Sequence, residues 1–477
     1  MNKKKIMATA GTSVALAVSC LSTPVLADGT QAATPTFTFG AYLRSGLGTT
    51  TDGGSQACFR LPGAATFFRL GNECDSYVDL KLGSHLGEVK GTQFDAKITL
   101  SHGTQGMANW EQSTPALREL FVTASNIGAS LDVRALDGAI LWAGKRFYKN
   151  PDIHMLDYTY WEPGQGPGVG LDNVTLGPGK FAYAMFRMGD FTGYGVNNGL
   201  GGYNPDLIGG GSRSATVHDF RLEALPVNRG GLLTAGVDIV RASNRSGTGT
   251  YTVDTTQSVD LDNNPATPNV DVVVRQTRTL DNAAGNNGTA FTLTHEQRDP
   301  LGFGGTNTLG LQYAHDAALL KGYGVGGSTD KRREWMLFDH WLFQPAHSQW
   351  SATSTAGYRH AEVNDVKVRE TWLGTRPFYS ISEVLGLFSE LSHQRVRQGS
   401  EATRTLSKAT IGTQFAMGAG VTARPAIRLF ATYAKWNDAA AKAGPVACTG
   451  RDCATAVTSF ANKRSAVTYG AQVEAWF

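Results

Sequence analysis

The sequence has few cysteines, no excess of charge and no long apolar run, and each absence excludes a class of protein. Five cysteines in 477 residues are too few for a disulfide-rich scaffold. Lysines and arginines number 43 and acidic residues 40, and Lys3, Lys4 and Lys5 lie in the first few residues. Setting those three aside leaves the charges balanced, which gives no reason to expect a nucleic-acid partner.

No segment after the amino-terminal region approaches the ~18 consecutive apolar residues of a membrane helix. The mean hydropathy is −0.21, as in soluble exported proteins. Outer-membrane β-barrels have a similar average, because their strands alternate apolar and polar residues. The lack of apolar helices therefore leaves both classes open.

The amino terminus has the features of a secretory signal. Three lysines precede an apolar stretch that ends in Val25-Leu26-Ala27, a suitable cleavage site for signal peptidase. A lipoprotein signal would use Cys20, but Ala17 stands where leucine is preferred. We therefore expect a signal peptide over residues 1–27 and a mature domain over residues 28–477.

The four remaining cysteines form two local pairs in loop-like sequence. Of three possible connectivities, the simplest joins Cys58 to Cys74 and Cys448 to Cys453. Zinc is the competing explanation, but neither pair has CxxC spacing and no paired histidines lie nearby. We expect no metal and no cofactor.

Short alternating runs separated by turn residues recur along the chain. In TFTFGAYLR and in the final YGAQVEAWF, apolar residues occupy every second position, which predicts strands with two different faces. At about 25 residues per strand the chain predicts a closed antiparallel barrel of about 16 to 18 strands. The terminal Phe477 is typical of outer-membrane proteins of Gram-negative bacteria, whereas a soluble sandwich or propeller remains the alternative.

Aromatic side chains recur on the polar face of these strands. Tyr42 shares a face with Arg44, Tyr77 with Asp79, and Trp476 with Glu474. In a membrane barrel this face lines the lumen. Aromatic rings there can stack on pyranose rings while arginines and carboxylates bond the hydroxyls. The pattern predicts weak binding of sugar along a channel, since tight binding would block conduction.

The segments GAYLRSGLG, RLGNECDSYVDLKLG, LWAGKRFYKNPDIHMLDYTYW and ARPAIRLFATYAKW resemble the maltoporin (LamB-type carbohydrate porin) family. The resemblance implies an 18-stranded barrel with a constriction loop folded inward, a homotrimer in outer-membrane lipid, and facilitated diffusion of maltodextrins. It also implies roles for residues. An aromatic slide is matched by Tyr42, Tyr77, Phe291, Trp476 and, reaching in from a neighbouring subunit, Trp110. A polar track is matched by Arg44, Arg69, Asp79, Arg118 and Asp157.

The resemblance is the only support for two of these positions, and it adds support for one disulfide. Leu120 and Val122 share the parity of Arg118, and parity gives no information for Phe291. Cys58 and Cys74 match the family's loop disulfide.

Three positions depart from the maltoporin pattern. Thr159 replaces a bulky tyrosine of the constriction, Asn150 replaces an arginine, and Thr422 replaces a tryptophan of the slide. Smaller uncharged side chains predict a wider constriction, and the asparagine is similar to the related sucrose porins. The hypothesis is a maltoporin-like channel with a broader range of oligosaccharides.

Two other functions compete with this interpretation. A general diffusion porin would have no recurring lumen aromatics. An outer-membrane enzyme would need cooperating side chains, but Asp339 and His340 are adjacent in a predicted strand and therefore face opposite sides. The sequence accordingly predicts a channel and no enzymatic activity.

Overall fold

Eighteen long strands form one closed sheet, as the alternation predicts. The computed structural model describes residues 36–105, 115–188, 215–242, 247–259, 270–282, 285–322, 330–449 and 455–477. Each strand pairs antiparallel with the next along the chain, and the last strand pairs with the first. Closure leaves no unpaired strand edge in the barrel wall.

The strands of the barrel are 6 to 15 residues long. In chain order they are Thr36–Thr50, Asp75–Val89, Thr92–Gln105, Ala116–Ser125, Ile140–Lys145, Pro167–Leu176, Gly179–Met188, Ala215–Asn228, Gly231–Ala242, Gly288–Arg298, Thr306–Asp316, Arg332–Phe343, Trp350–Val363, Val366–Ser380, Leu385–Gln398, Arg404–Ala416, Ala426–Trp436 and Ser465–Trp476.

Shorter elements lie in the connections. In the described part of the chain, three small sheets are formed by Cys58–Phe59 with Ala447–Thr449 and Thr455–Ala456, by Asp152–Ile153 with Tyr158–Thr159, and by Gly247–Val259 with Val270–Asn282. The helical segments of these described residues are Ile127–Leu131, Arg134–Leu136, His154–Leu156, Pro300–Gly302, Asp438–Ala443 and Thr458–Phe460. None of the helices in the described ranges is long and apolar enough to cross a membrane.

The wall has an apolar outer face and a polar inner face. Outward leucines and isoleucines are exposed, including Leu47, Leu293, Leu373, Leu391, Ile411 and Leu429. The alternate positions point inward and include charged side chains that the loops cover, such as Asp219, Glu370, Glu390 and Glu474. Short turns such as 90–91 and 177–178 lie at one end of the barrel. Long connections such as 51–74 and 146–166 lie at the other.

The connection 146–166, here called the constriction loop, folds into the lumen. Its apolar side chains are buried against the inner wall, namely Tyr148, Ile153, Met155, Leu156, Tyr158, Tyr160 and Trp161. The Tyr160 ring lies 4.7 Å from that of Phe338, and Gln312 of the wall donates a 2.7 Å hydrogen bond to the Tyr160 carbonyl. This confirms the predicted inward loop, which is held by packing and hydrogen bonds together.

The connection 51–74, here called the first loop, also enters the lumen, which the sequence did not predict. Thr66 donates a 2.7 Å hydrogen bond to Glu370, and Lys408 bonds the Phe68 carbonyl at 2.5 Å. A Cβ at Gly374 would lie 2.0 Å from the Phe68 ring, so glycine is required for this close approach. The two loops therefore narrow the channel from different sections of the wall.

Candidate functional site

Three aromatic rings form a diagonal row on the inner wall, across the last strand and the first two strands. Trp476 of the last strand lies opposite Tyr42 of the first strand. Tyr77, on the second strand, lies opposite Arg44 of the first strand. The Tyr42 and Tyr77 rings are 6.1 Å apart. Trp476 is 40% exposed, and both tyrosines are partly exposed. We call Trp476, Tyr42 and Tyr77 the aromatic row.

A buried network of ion pairs lies beside the aromatic row. Arg44 contacts Asp75 at 2.7 Å, Glu73 at 3.2 Å and Asp157 at 3.4 Å. Arg69 contacts Glu73 and also lies 2.8 Å from Glu474. Both arginines are only 4% exposed. Their donors are therefore largely engaged by protein carboxylates.

Arg69 also links the network to the aromatic row. It donates a 2.9 Å hydrogen bond to the Tyr42 hydroxyl, and its guanidinium lies 3.0 Å from Nδ1 of His154. Burial alone would lower the pKa of Arg69, but Glu73 and Glu474 raise it well above its ordinary value. A cation at this position is thus permanent, and it fixes the orientation of the Tyr42 ring.

Several members of this network were missed by the sequence analysis. Glu73 and His154 belong to loops, where strand alternation gives no information on orientation. His154 meets the Trp476 ring edge-on at 5.6 Å. The Arg424 guanidinium lies 4.5 Å from the centre of the same ring, and Arg424 also contacts Glu474 at 2.6 Å. Trp476 is therefore flanked by two nitrogen-bearing side chains.

Arg118 points inward although its parity indicates the outer face. The register shifts between Thr99 and Leu100, so Thr99 pairs with Glu119 while Leu100 pairs with Leu117. This β-bulge leaves Arg118 without a partner residue and turns its side chain. Arg118 donates a 2.7 Å hydrogen bond to Gln165 of the constriction loop and stacks on Phe147 at 4.8 Å.

The remaining polar positions lie near the aromatic row or on the constriction loop. Asp79 accepts a 2.7 Å hydrogen bond from the Tyr77 hydroxyl. Asp157 keeps a 22% exposed side chain while it pairs with Arg44. Tyr158 and Tyr160 are both 8% exposed because they pack on the wall, and Thr159 between them is partly exposed. Neither tyrosine replaces the missing aromatic at Thr159.

The predicted lumen position of Phe291 is wrong. Its neighbour Thr292 is buried and bonds Gln312 of the inner wall at 3.0 Å. Phe291 lies on the opposite face and is 50% exposed, and its cross-strand partner Tyr313 is 40% exposed. Because neighbouring residues of a strand point to opposite sides, Phe291 faces away from the lumen.

Other predicted features are placed as follows. Asn150 donates a 3.3 Å hydrogen bond to Glu162 within the constriction loop, and Thr422 is exposed in the turn 417–425. Cys58 and Cys74 form the predicted disulfide, which closes residues 58–74 within the first loop. Trp110 and Cys453 lie outside the described residues, and so does the second predicted disulfide. Residues 1–35, which include the predicted signal peptide, also lie outside them.

A closed barrel with an apolar outer face, a polar inner face and loops that narrow the lumen defines a porin, a channel of the outer membrane. The model of the LamB porin family matches residues 37–477. The chain belongs to the LamB porin family, and it is a multi-pass β-barrel of the outer membrane.

Solved structures of other outer-membrane proteins also match the chain. OmpT of Vibrio cholerae matches with a TM-score of 0.37 and 9% identity over 94% of this chain and 99% of the other. Pseudomonas aeruginosa OccK3 (OpdO) matches with 0.43 and 12%, over 92% and 95%. Acinetobacter baumannii OccAB1 matches with 0.45 and 9%, over 92% and 96%. The family assignment rests on the LamB porin match and not on these distant similarities.

Proposed function

We propose that the protein conducts maltodextrins and other oligosaccharides by facilitated diffusion along the aromatic row. The observation that supports this proposal most directly is the row itself, three partly exposed rings on adjacent strands at one side of a narrowed lumen. A general diffusion porin has no need of such rings. A continuous row allows a sugar chain to move from ring to ring, since each stacking contact is weak.

Polar side chains around the row have two proposed roles. The side chains of Asp79 and Asp157 are partly exposed, and Arg118 bonds Gln165 of the constriction loop. We propose that all three bond sugar hydroxyls directly. Arg44 and Arg69 are buried and already paired. Their proposed role is to hold the rings and carboxylates in position, so they act on sugar mainly through their neighbours.

We further propose that the channel accepts bulkier sugars than a narrow maltodextrin channel does. The support is local: Thr159 places a small side chain where both adjacent tyrosines are packed into the wall, and Asn150 is neutral. Sucrose is the simplest test sugar. A homotrimer, with Trp110 of one subunit reaching the lumen of another, remains part of the proposal on family grounds.

Liposome swelling tests the proposed function. Vesicles containing the protein are mixed with maltodextrins of increasing length or with polyethylene glycols of equal mass, and the initial swelling rates are compared. Facilitated diffusion predicts faster entry of maltodextrins at equal mass, and a wide constriction predicts measurable entry of sucrose. Rates that depend on solute mass alone would indicate a general diffusion porin.

A further inference from the structure

The outer face of the barrel has a cluster of arginines at the end where the long loops lie. Arg369 stands near the start of strand Val366–Ser380, and Arg395 and Arg397 stand near the end of Leu385–Gln398. All three side chains are exposed, whereas their neighbours Glu370 and Val396 are buried on the lumen side. The three arginines, here called the arginine triad, therefore point away from the channel.

The register places these like charges together. Arg369 lies directly opposite Arg397, and Arg395 lies opposite Thr371, diagonal to Arg369. Side chains opposite each other are ~5 Å apart at Cβ and diagonal ones ~7–8 Å, and like charges so placed are destabilising. Part of that repulsion disappears when an anion binds between them.

Protein carboxylates do not neutralise the triad within the described part of the chain. No ion pair or hydrogen bond joins Arg369, Arg395 or Arg397 side chains to another described residue. The outward Glu362 lies opposite Lys367 in the register, and Asp365 is in the turn beyond it. Glu401 pairs with Arg404, and Lys367 adds a further outward cation.

The triad lies at the polar edge of the apolar band. On the neighbouring strands, Trp335 lies opposite His360, which lies opposite Arg369. The Trp335 and Tyr358 ring centres are 4.9 Å apart, and such aromatic residues are enriched at membrane interfaces. Beyond them Leu373 is 63% and Leu391 56% exposed, and these leucines face the hydrocarbon. Because long loops of such barrels are extracellular, the triad is at the level of the outer-leaflet headgroups.

We propose that the arginine triad binds a phosphate group of a lipid headgroup in the outer leaflet. A guanidinium presents a fork of donors that fits phosphate oxygens in pairs, and two such forks face each other across adjacent strands here. The first two strands have no such arginine cluster, because their outward positions near the loop end are Leu47, Thr49 and Ser76. The proposed ligand is a phosphorylated lipid, and the test below uses a phosphorylated glycolipid as its representative.

Lipid retention by the purified full-length protein tests this site. Bisphosphorylated lipid A is titrated onto the protein in detergent, and the bound lipid is counted by native mass spectrometry. The same titration uses lipid A from which both phosphates have been removed, and inorganic phosphate alone. The proposal predicts tight binding only for the phosphorylated lipid.

The variant R369Q/R395Q/R397Q is expected to lose at least about tenfold in affinity for the phosphorylated lipid, since it loses charge-assisted contacts. The matched control R241Q changes an exposed arginine at the loop end of strand Gly231–Ala242 and should bind as the wild type does. Unchanged single-channel conductance shows that the triple variant is folded. If it does not fold, the corresponding triple lysine variant, which keeps the charge but not the fork, should bind with reduced affinity.

Equal retention of the lipid by wild type and variants would overturn the proposal. Retention that does not depend on the phosphates would also overturn it. Binding of inorganic phosphate as tight as that of the lipid would instead assign the triad to a free anion.

Discussion

Removal of the Trp161 side chain should release the constriction loop. Trp161 is 1% exposed, its indole N–H donates a 3.1 Å hydrogen bond to Asp238, and the Arg221 guanidinium lies 3.8 Å from its ring centre. A Cβ at Gly236 would lie 2.4 Å from the ring, so the indole fills the space against the wall. Trp161→Ala therefore removes a well-packed anchor of the loop.

The expected cost follows from this packing. Replacing a buried tryptophan by alanine costs about 3–5 kcal/mol, and each 1.4 kcal/mol is tenfold in an equilibrium constant. The ratio of undocked to docked loop should thus rise by roughly a hundredfold or more. Trp161→Phe keeps a ring but leaves Asp238 without the indole donor, and should cost about 1–3 kcal/mol.

Single-channel recording in a planar bilayer is the assay for this prediction. Trp161→Ala should show additional, larger conductance levels and more open-channel noise, with a smaller effect in Trp161→Phe. Trp335→Ala is the matched control, because Trp335 is 39% exposed on the outer face and should leave the current unchanged. Identical traces for wild type and Trp161→Ala would refute the idea that this packing holds the loop in the lumen.

Three further changes give distinct outcomes. Thr159→Tyr should lower single-channel conductance and sucrose entry because the added ring projects from the constriction loop, and unchanged values would show that Thr159 lies away from the narrowest point. Phe291→Ala should leave the block of current by sugar unchanged because Phe291 is on the outer face. Weaker block would show that the Phe291 side chain lies in the lumen. Cys74→Ser should cost about 3 kcal/mol of loop stability and therefore increase cleavage of residues 51–74 by added protease. Cleavage equal to that of the wild type would show that the contacts of Thr66 and Phe68 with the wall are enough to hold the loop.

Strand alternation predicted the barrel because its two faces meet two different solvents. Lipid requires apolar side chains and water requires polar ones, so the period of two is regular. The same rule placed Trp476 and Tyr42 on the inner face. For Phe291 no information was drawn from parity, so its predicted place in the lumen rested on the family resemblance alone. The structure places Phe291 on the outer face.

The positions that alternation could not predict depend on interruptions or loops. A β-bulge turns Arg118 inward, and nothing in the residues 116–122 marks the extra residue. Arg69 and Glu73 meet Arg44 and Glu474 only because the first loop folds into the lumen. Such contacts depend on tertiary packing, which a local pattern does not encode.

Current block by sugar tests the proposed aromatic row most directly. Maltodextrins of increasing length are titrated into a planar bilayer containing a single wild-type channel, and the same series is repeated with Trp476→Ala. We predict saturable block that strengthens with chain length and weakens in the variant by about two- to tenfold, the equivalent of 0.5–1.5 kcal/mol for one aromatic contact. An open current that no sugar changes would contradict the account and leave a general diffusion porin on this family's scaffold.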